Sequence, residues 1–295
     1  IIRRVVLLFV LGLLTYGALQ LTWLVRDDEG RWMINVHDHQ RITGVLQRIA
    51  VCYGVAALIT LHTGWRGQLA TVVVILLGYW AVLGWVPNPE SGVRGDYSMT
   101  GNLGGWVDRH YLPGHLSPHY YGDVKKNIAY GDNEGLLSTI PSIATCLIGV
   151  LAGQWLRSAA APGFKTVMLA VAGIGCLGLG ELWGLIFPII KNLWTSSYVL
   201  IAAGWSLLLL GLFYGIIDGL KWQRWAFPFV VIGVNAITIY VCDRFIGFPQ
   251  MTSFFFGGAI RQAGDVGPII KAAGILFFEW LFLFWLYRQR LFVRV

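Results

Sequence analysis

Charged side chains are scarce in this sequence, because Asp, Glu, Lys and Arg together make up only 13% of its 295 residues. Soluble domains average about 25% charged residues, so the shortage argues against a soluble domain. Hydrophobic residues make up 56% of the chain, and its mean hydropathy is +0.64. They fall into runs near the length of about 20 residues that a helix needs to cross a bilayer.

Signatures of metal, disulfide and nucleotide sites are also lacking. No HExxH, GxSxG, Walker or GxGxxG motif is present, and the six histidines have no metal-ligand spacing. The four cysteines form no CxxC or CxxH pair and lie in or beside apolar runs, as Cys52, Cys146, Cys176 and Cys242. Such cysteines behave as small buried side chains. We therefore expect no metal cofactor.

The formal net charge of +7 indicates membrane lipid headgroups as partners. A nucleic-acid partner is not expected, because no run of Lys and Arg is interleaved with stacking aromatic residues. The 14 Trp residues agree with this interpretation, since Trp favours the interface between membrane and water.

Eight apolar stretches predict an all-α polytopic membrane protein with about eight transmembrane helices. They lack the period-two alternation of strands, and helices satisfy every backbone polar group within a bilayer. We treat residues 1–295 as a single transmembrane domain. The predicted spans cover residues 5–24, 44–61, 69–85, 136–156, 166–183, 197–217, 226–246 and 268–287.

Short connections rich in Lys and Arg alternate with long loops in which acids offset the basic residues. The positive-inside rule places the basic connections in the cytoplasm, and both termini with them. The long outer loops are residues 25–43 and 86–135, and connections of this length usually form a binding surface or a lid. The basic residues that set this orientation are Arg3, Arg4, Arg66, Arg157, Lys165, Lys221, Arg224, Arg288, Arg290 and Arg294.

Arg48 and Gln47 lie about one helical turn inside the second span. A charged group at depth costs about 2.5–3.5 kcal/mol, so Arg48 is expected to face a cavity or a partner. The alternative is that its long side chain reaches outward to the interface. Asn235 and Glu279 lie within later spans, where an interhelical structural role is an equal alternative.

Asp132 and Glu134 precede the fourth span at the same outer level as Arg48, and opposite charges at one depth predict a polar chamber. Acids in this position also occur as ordinary helix N-terminal residues. Lys191 and Asn192 occupy a short outer segment, which is either an interfacial turn or part of the site.

Several sequence strings, taken together and in this order, resemble the heparan-α-glucosaminide N-acetyltransferase family, especially its bacterial members linked to N-acetylglucosamine use. The resemblance runs over nearly the whole chain. The strings are Gly44-Val-Leu-Gln-Arg-Ile-Ala50, Asn102-Leu-Gly-Gly-Trp-Val-Asp-Arg109, Leu112-Pro-Gly-His-Leu116, Glu134-Gly-Leu-Leu-Ser-Thr-Ile-Pro-Ser-Ile-Ala144, Leu193-Trp-Thr-Ser-Ser-Tyr198 and Gly233-Val-Asn-Ala-Ile237.

This resemblance implies a transmembrane acyltransferase that moves an acetyl group from cytosolic acetyl-CoA to an amino sugar on the outer side. It also implies a bacterial inner membrane location, with the basic inner loops suited to the phosphates of CoA. The polar residues above would then bind substrate. These residues are Gln47, Arg48, Asn102, Asp132, Glu134, Lys191, Asn192 and Asn235.

The catalytic residue is left unassigned. In the family, the reacting histidine lies in an outer loop between two spans that precede a pair like Arg3-Arg4. The chain begins at Ile1 without an initiator Met, so we expect those spans upstream, in a longer protein. The family's usual Asp-Pro-Glu-Gly is replaced here by Asp132-Asn-Glu-Gly135, which keeps both acids.

Two other functions stay open at the level of sequence. An amino-sugar transporter would use the same polar residues to line a path, and a non-catalytic membrane subunit would keep the fold without the reacting histidine. Gly149 and Gly153 form a GxxxG pair in the fourth span, which favours close helix packing. A homodimer or a larger membrane complex is therefore expected as a further partner.

Overall fold

The architecture was analysed in a computed structural model. It describes residues 1–15, 24–26, 32–34, 41–116, 118–243 and 245–292. The chain divides into two compact units, Ile1–Gly215 and Ile216–Val295, and each is described by itself.

The first unit is a helical bundle with two short antiparallel hairpins, in which β1 pairs with β2 and β3 pairs with β4. In chain order its elements are α1 (Ile2–Leu13), β1 (Leu24–Arg26), β2 (Trp32–Ile34), α2 (Val45–His62), α3 (Trp65–Trp85), α4 (Leu103–Tyr111), α5 (Pro118–Tyr121), β3 (Gly122–Asp123), β4 (Ile128–Ala129), α6 (Leu136–Leu156), α7 (Pro162–Gly184) and α8 (Ser196–Tyr214).

Helix α6 lies at the centre of this unit and packs against α2, α3 and α8. Small and branched apolar side chains fill the space between them, in a cluster of Ala56, Val72, Leu76, Ala144, Leu147 and Val199. Helices α7 and α8 approach closely at Gly173 and Gly204. A Cβ atom at either glycine would lie 2.9 Å from the carbonyl oxygen of the other, so no larger residue fits there.

The second unit continues from a π-helical turn, Gly215–Gly219, and a 3-10 turn, Arg224–Ala226. Its helices are α9 (Phe227–Val234), α10 (Ala236–Cys242), α11 (Phe248–Gln262) and α12 (Gly267–Arg288), with a 3-10 turn at Gly264–Val266 before α12. Val231, Leu283 and Leu286 form the core of this unit.

Six described helices are long and apolar enough to cross a membrane, and a bent pair counts as a seventh. The chain is therefore an all-α polytopic membrane protein. The bent pair is α9 and α10, which fall within the predicted span 226–246 but turn by 57° at Asn235. The first predicted span, residues 5–24, coincides in part with α1, and residues 16–23 lie outside the described residues. The count of eight and the cytoplasmic termini stay predictions.

Two features differ from the sequence-based expectations. Helix α11 was not predicted, and its 15 residues span only roughly 22 Å, which is shorter than the bilayer core. The Gly149–Gly153 pair does not mark a close approach within the chain, because a Cβ atom at either position would meet nothing within 4 Å among the described residues.

The long loop 86–135 contains α4, α5 and the second hairpin. Within residues 25–43, only residues 25–26, 32–34 and 41–43 are described.

Candidate functional site

The start of α8 is rich in hydroxyl side chains, and their hydrogen bonds anchor this helix beside the candidate site. The side chain of Ser196 donates to the carbonyl of Leu76 at 2.7 Å, and that of Ser197 donates to the carbonyl of Phe187 at 2.7 Å. The Tyr79 hydroxyl donates to the carbonyl of Leu193 at 2.6 Å. These long-range bonds hold the Leu193-Trp-Thr-Ser-Ser-Tyr198 segment, and so they place the indole of Trp194.

Asn102 fixes a second part of the candidate site, because its side chain caps the first turn of α4. Its Oδ1 accepts from the backbone N–H of Gly105 at 2.7 Å, which satisfies one of the free donors of the first turn. Its Nδ2 donates to the carbonyls of Ser98 and Met99 and lies 3.0 Å from the hydroxyl oxygen of Tyr121. The amide of Asn102 is thus occupied by the protein itself.

Asp108, on α4, holds the segment that leads into α6. Its two carboxylate oxygens accept from the backbone N–H groups of Asp132, at 3.1 Å, and of Leu136, at 2.9 Å. Desolvation in this buried position raises the pKa of Asp108 to about 6; the two donated hydrogen bonds oppose the rise, and the nearby charge of Asp132 adds to it. The segment 132–136 is therefore fixed by a carboxylate from the outer loop.

Arg41 neutralises both acids of this segment. Its Nε donates to Asp132 at 2.7 Å, and its Nη2 contacts both Asp132 and Glu134. Burial alone would lower the pKa of Arg41, but the hydrogen bonds and charges of the two acids outweigh it and raise that pKa. The Asp132 side chain is completely buried, whereas that of Glu134 is 17% exposed. Of these two acids, only Glu134 therefore keeps exposed side-chain surface.

Arg48 contacts the same segment, and no acid of the described residues forms an ion pair with it. It is only 7% exposed, and its Nη2 donates to the carbonyl of Asn133 at 2.9 Å and to the hydroxyl of Ser138. Its guanidinium carbon lies 4.7 Å from the ring centroid of Trp194, which is cation–π geometry. The sequence predicted one polar chamber for Arg48, Asp132 and Glu134. Arg48 and Glu134 line the same cavity, and both acids pair with Arg41.

A cavity of about 320 Å³ opens beside Arg48. Its polar lining includes Thr43, Gln47, Arg48 and Glu134, and most of its apolar lining comes from α1, α2 and α6. Among the described residues, several buried polar atoms of this wall have no hydrogen-bond partner: Thr43 Oγ1, both amide atoms of Gln47, and Nε and Nη1 of Arg48. Buried polar groups are normally paired, so such a concentration marks a place for a polar ligand or water.

A second cavity of about 10 Å³ lies on the other side of Ser138, with room for about one water molecule. Its polar lining comes from Asn102, Asp108, Asp132, Ser138 and Asn192. Because Ser138 contacts Arg48, this small cavity and the larger one share a wall.

The structure thus gathers most of the predicted site residues at one end of the first unit. Gln47, Arg48 and Glu134 line the larger cavity, and Asn102, Asp132 and Asn192 line the smaller one. Lys191 belongs to the same turn as Asn192 but is exposed, and Asn235 lies in the second unit, where it donates to the carbonyl of Leu291 at 3.0 Å. The substrate-binding roles of all eight stay predictions.

Arg41 and Asp108 were missed by the sequence reasoning. Asp108 lies inside one of the strings that carried the family resemblance, so a buried role could have been suspected. Arg41 stands four residues before α2, and nothing in the local pattern connects it with acids that lie 91 and 93 residues further along the chain. Within the described ranges, no group of three His, Cys, Asp or Glu residues is placed to hold a metal ion.

Comparison with known proteins gives two relatives and no matching family model. The chain is 30% identical over 249 residues to the heparan-alpha-glucosaminide N-acetyltransferase of Homo sapiens, and 30% identical over 250 residues to that of Mus musculus. Each alignment covers 69% of this chain and 37% of the relative, so the chain matches little more than a third of their length. On this similarity, the chain belongs to the heparan-alpha-glucosaminide N-acetyltransferase family.

Proposed function

We propose that this chain is part of a membrane acetyltransferase, and that the cavity beside Arg48 binds an amino-sugar acceptor. The observation that carries the proposal is the set of unpartnered polar atoms at Thr43, Gln47 and Arg48, which all border one cavity. A sugar offers hydroxyl and carbonyl oxygens that satisfy such groups. The cavity volume of about 320 Å³ also lies at the small end of the range for ligand pockets, which suits a single sugar unit.

The proposed reaction transfers an acetyl group from acetyl-CoA to the amine of the sugar. The amine nitrogen attacks the thioester carbonyl, a C–N bond forms, and the C–S bond breaks. The amine loses one proton and the departing CoA thiolate gains one, so no further reactant is needed. Positioned donors that stabilise the developing negative charge on the carbonyl oxygen would lower the barrier.

Arg48 and Glu134 are suited to opposite parts of such an acceptor. The Nε–H and Nη1–H groups of Arg48 have no hydrogen-bond partner among the described residues, so they are suited to donate to hydroxyl or carbonyl oxygens. The side chain of Glu134 is partly exposed and lines the cavity, so it is suited to bind a sugar hydroxyl or the ammonium group. The Asp132 carboxylate accepts from Arg41 and from the backbone N–H of Glu134, so we assign it to the support of Glu134.

The cavity lies beside the long loop 86–135, which the positive-inside rule places on the outer side. Acetyl-CoA would then enter from the cytosolic side, and the bacterial inner membrane is the proposed location. At the ends of α3 and α6 opposite this loop, Arg66 lies in the first turn of α3 and Arg157 directly follows α6, in keeping with a cytosolic face.

The test is acetyl transfer from acetyl-CoA to glucosamine by the natural full-length protein in proteoliposomes. We expect Arg48→Ala to lower kcat/KM by about a hundredfold, the usual effect of losing one donor to the developing charge. Arg48→Lys keeps the charge but loses the planar fork, and it should recover only part of the activity. Arg94→Ala is the matched control, since Arg94 is an exposed arginine of the outer loop 86–135.

Full activity of Arg48→Ala in folded protein would refute the assignment of the cavity. Uptake of labelled glucosamine into proteoliposomes without acetyl-CoA would instead favour a transporter. Absence of both activities, together with stable co-purification in a larger complex, would favour a non-catalytic subunit.

A further inference from the structure

A third cavity, of about 580 Å³ and larger than the two at the candidate site, runs along the first unit as a groove between α3 and α7, with α6 and α8 as its floor. Its lining contains no charged, hydroxyl or amide side chain. Residues that define its walls and floor include Val72, Leu76, Ala152, Leu169, Ala172 and Leu207. All four helices qualify as membrane spans, so the groove lies where hydrocarbon chains surround the protein.

The groove arises from how its helices pair. Helix α7 is drawn onto α8 by the close contact of Gly173 with Gly204, whereas α3 packs against α6. The two outer helices are therefore held on different neighbours, and a gap is left between them. Small side chains at Ala152 and Ala172 keep that gap open.

One end of the groove carries a buried cation. Lys165 is only 8% exposed and lies one helical turn before Leu169, which lines the groove. Its Nζ donates to the carbonyl of Leu156 at 2.8 Å and lies 6.0 Å from the ring centroid of Tyr214. In the part of the chain that the structure describes, no carboxylate forms an ion pair with Lys165. A buried charge without a counterion is costly, which favours an anion at this position.

Two exposed arginines extend this positive end. Arg66 lies one turn before the groove residue Leu69, and Arg157 follows the groove residue Trp155 by two positions. The segments that contain them, residues 63–68 and 157–165, have no Asp or Glu. No acid within these two segments therefore offsets the positive charge at this end of the groove.

We propose that this groove binds an anionic glycerophospholipid, with an acyl chain between α3 and α7 and its phosphate at Lys165, Arg66 and Arg157. The cations alone would suit any phosphate, and the apolar groove alone would suit any acyl chain. A molecule that satisfies both features has a charged phosphate joined to a hydrocarbon chain. This inference does not depend on the proposed acetyl transfer, and its test needs no activity.

The experiment uses the full chain, purified in detergent and stripped of lipid. Thermal unfolding is followed while phosphatidylglycerol or phosphatidylcholine is added, and native mass spectrometry counts the lipids retained. We expect saturable stabilisation and retention of phosphatidylglycerol, with weaker effects of phosphatidylcholine. Lys165→Gln should weaken phosphatidylglycerol binding about fivefold, equivalent to the roughly 1 kcal/mol that one basic residue contributes.

Exposed positions keep the test valid if Lys165→Gln folds poorly. Arg66→Gln alters only an exposed side chain and should weaken phosphatidylglycerol binding in the same direction. Lys125→Gln removes an exposed charge from the outer loop and should leave binding unchanged. It serves as the matched control for charge.

A variant with a bulky side chain tests whether an acyl chain occupies the groove. Ala172→Phe fills the groove and should abolish retention of the bound lipid. Val171→Phe adds a similar bulk to the neighbouring position, which is 55% exposed and does not line the groove, so it should retain the lipid.

Four outcomes would overturn the proposal. The first is equal stabilisation of the wild-type protein by both lipids, and the second is unchanged lipid retention in Ala172→Phe. The third is Lys165-dependent stabilisation by acetyl-CoA in place of phosphatidylglycerol, which would make the cations a CoA phosphate site. The fourth is a dimer that Ala172→Phe dissociates, which would show that a second copy covers the groove.

Discussion

The surroundings of Arg41 and Arg48 differ sharply, although both arginines are nearly buried and both contact the segment that leads into α6. Arg41 is neutralised by Asp132 and Glu134, and its bonds join distant parts of the chain. Arg48 contacts a carbonyl, a hydroxyl and an aromatic ring, it lines a cavity, and two of its nitrogens have no hydrogen-bond partner among the described residues. A buried cation that the protein neutralises stabilises the fold, whereas one with free donors beside a cavity indicates a bound ligand.

Removing Arg41 should have the largest effect on the stability of the protein. We expect Arg41→Met to destabilise the protein by about 3–5 kcal/mol, because Asp132 would remain buried without its counterion. The measurement is the thermal unfolding midpoint in detergent. The double variant Arg41→Met/Asp132→Leu removes both charges and should recover most of that loss. A single variant that unfolds at the wild-type midpoint would show that the ion cluster is not structural.

The next effect is a pH dependence of stability that arises from Asp108, which supports the same segment. Its folded-state pKa of about 6 exceeds the ordinary value of 3.8, so the folded protein binds more protons than the unfolded chain between these two values. Stability from this group is therefore present at low pH and falls as the pH rises to 6, by up to roughly 3 kcal/mol.

The measurement compares unfolding midpoints at pH 4.5 and pH 7 in wild type and in Asp108→Asn. The variant should lack the part of the pH dependence that Asp108 contributes. Asp96→Asn is the control, since Asp96 is another aspartate of the outer loop. Its side chain accepts from the backbone N–H of Ser98, which an asparagine can also do. Identical pH dependence in wild type and Asp108→Asn would contradict the raised pKa.

The smallest expected effect concerns Gln47, which lines the same cavity as Arg48. Gln47 is buried with both amide atoms unpartnered among the described residues, so Gln47→Leu should stabilise the unliganded protein by about 1 kcal/mol. If the cavity binds the acceptor, the same variant should raise the KM for the amino sugar. Unfolding and steady-state kinetics give the two readouts. A loss of stability in Gln47→Leu would mean that the amide has a structural partner.

Sequence reasoning succeeded where a local property decides the structure. Six predicted spans agree with α2, α3, α6, α7, α8 and α12 to within a few residues, because hydropathy over about 20 residues is what places a helix in a bilayer. The break at Asn235 and the short helix α11 were not predicted. A bend depends on contacts across the unit, and an apolar segment of 15 residues has no clear hydropathy signal.

In the candidate site, the prediction that Arg48 and Gln47 need a cavity or a partner followed from the cost of polar groups at depth. The pairing of charges did not follow from it. Arg41 and Asp132 are 91 residues apart, and Asp108 reaches Asp132 and Leu136 across 24 and 28 residues. Such contacts depend on how helices and loops are packed, and one sequence does not specify which of several acids an arginine meets.

The sequence by itself determined that this chain is a helical membrane protein of the heparan-alpha-glucosaminide N-acetyltransferase family, since composition, span length and sequence strings are properties of the linear chain. Only the tertiary structure decided which polar residues are satisfied and which face a cavity. It also decided that Lys165 stands at the end of an apolar groove. The physical reason is that burial and hydrogen bonding are properties of neighbours in space, which packing brings together from distant positions in the chain.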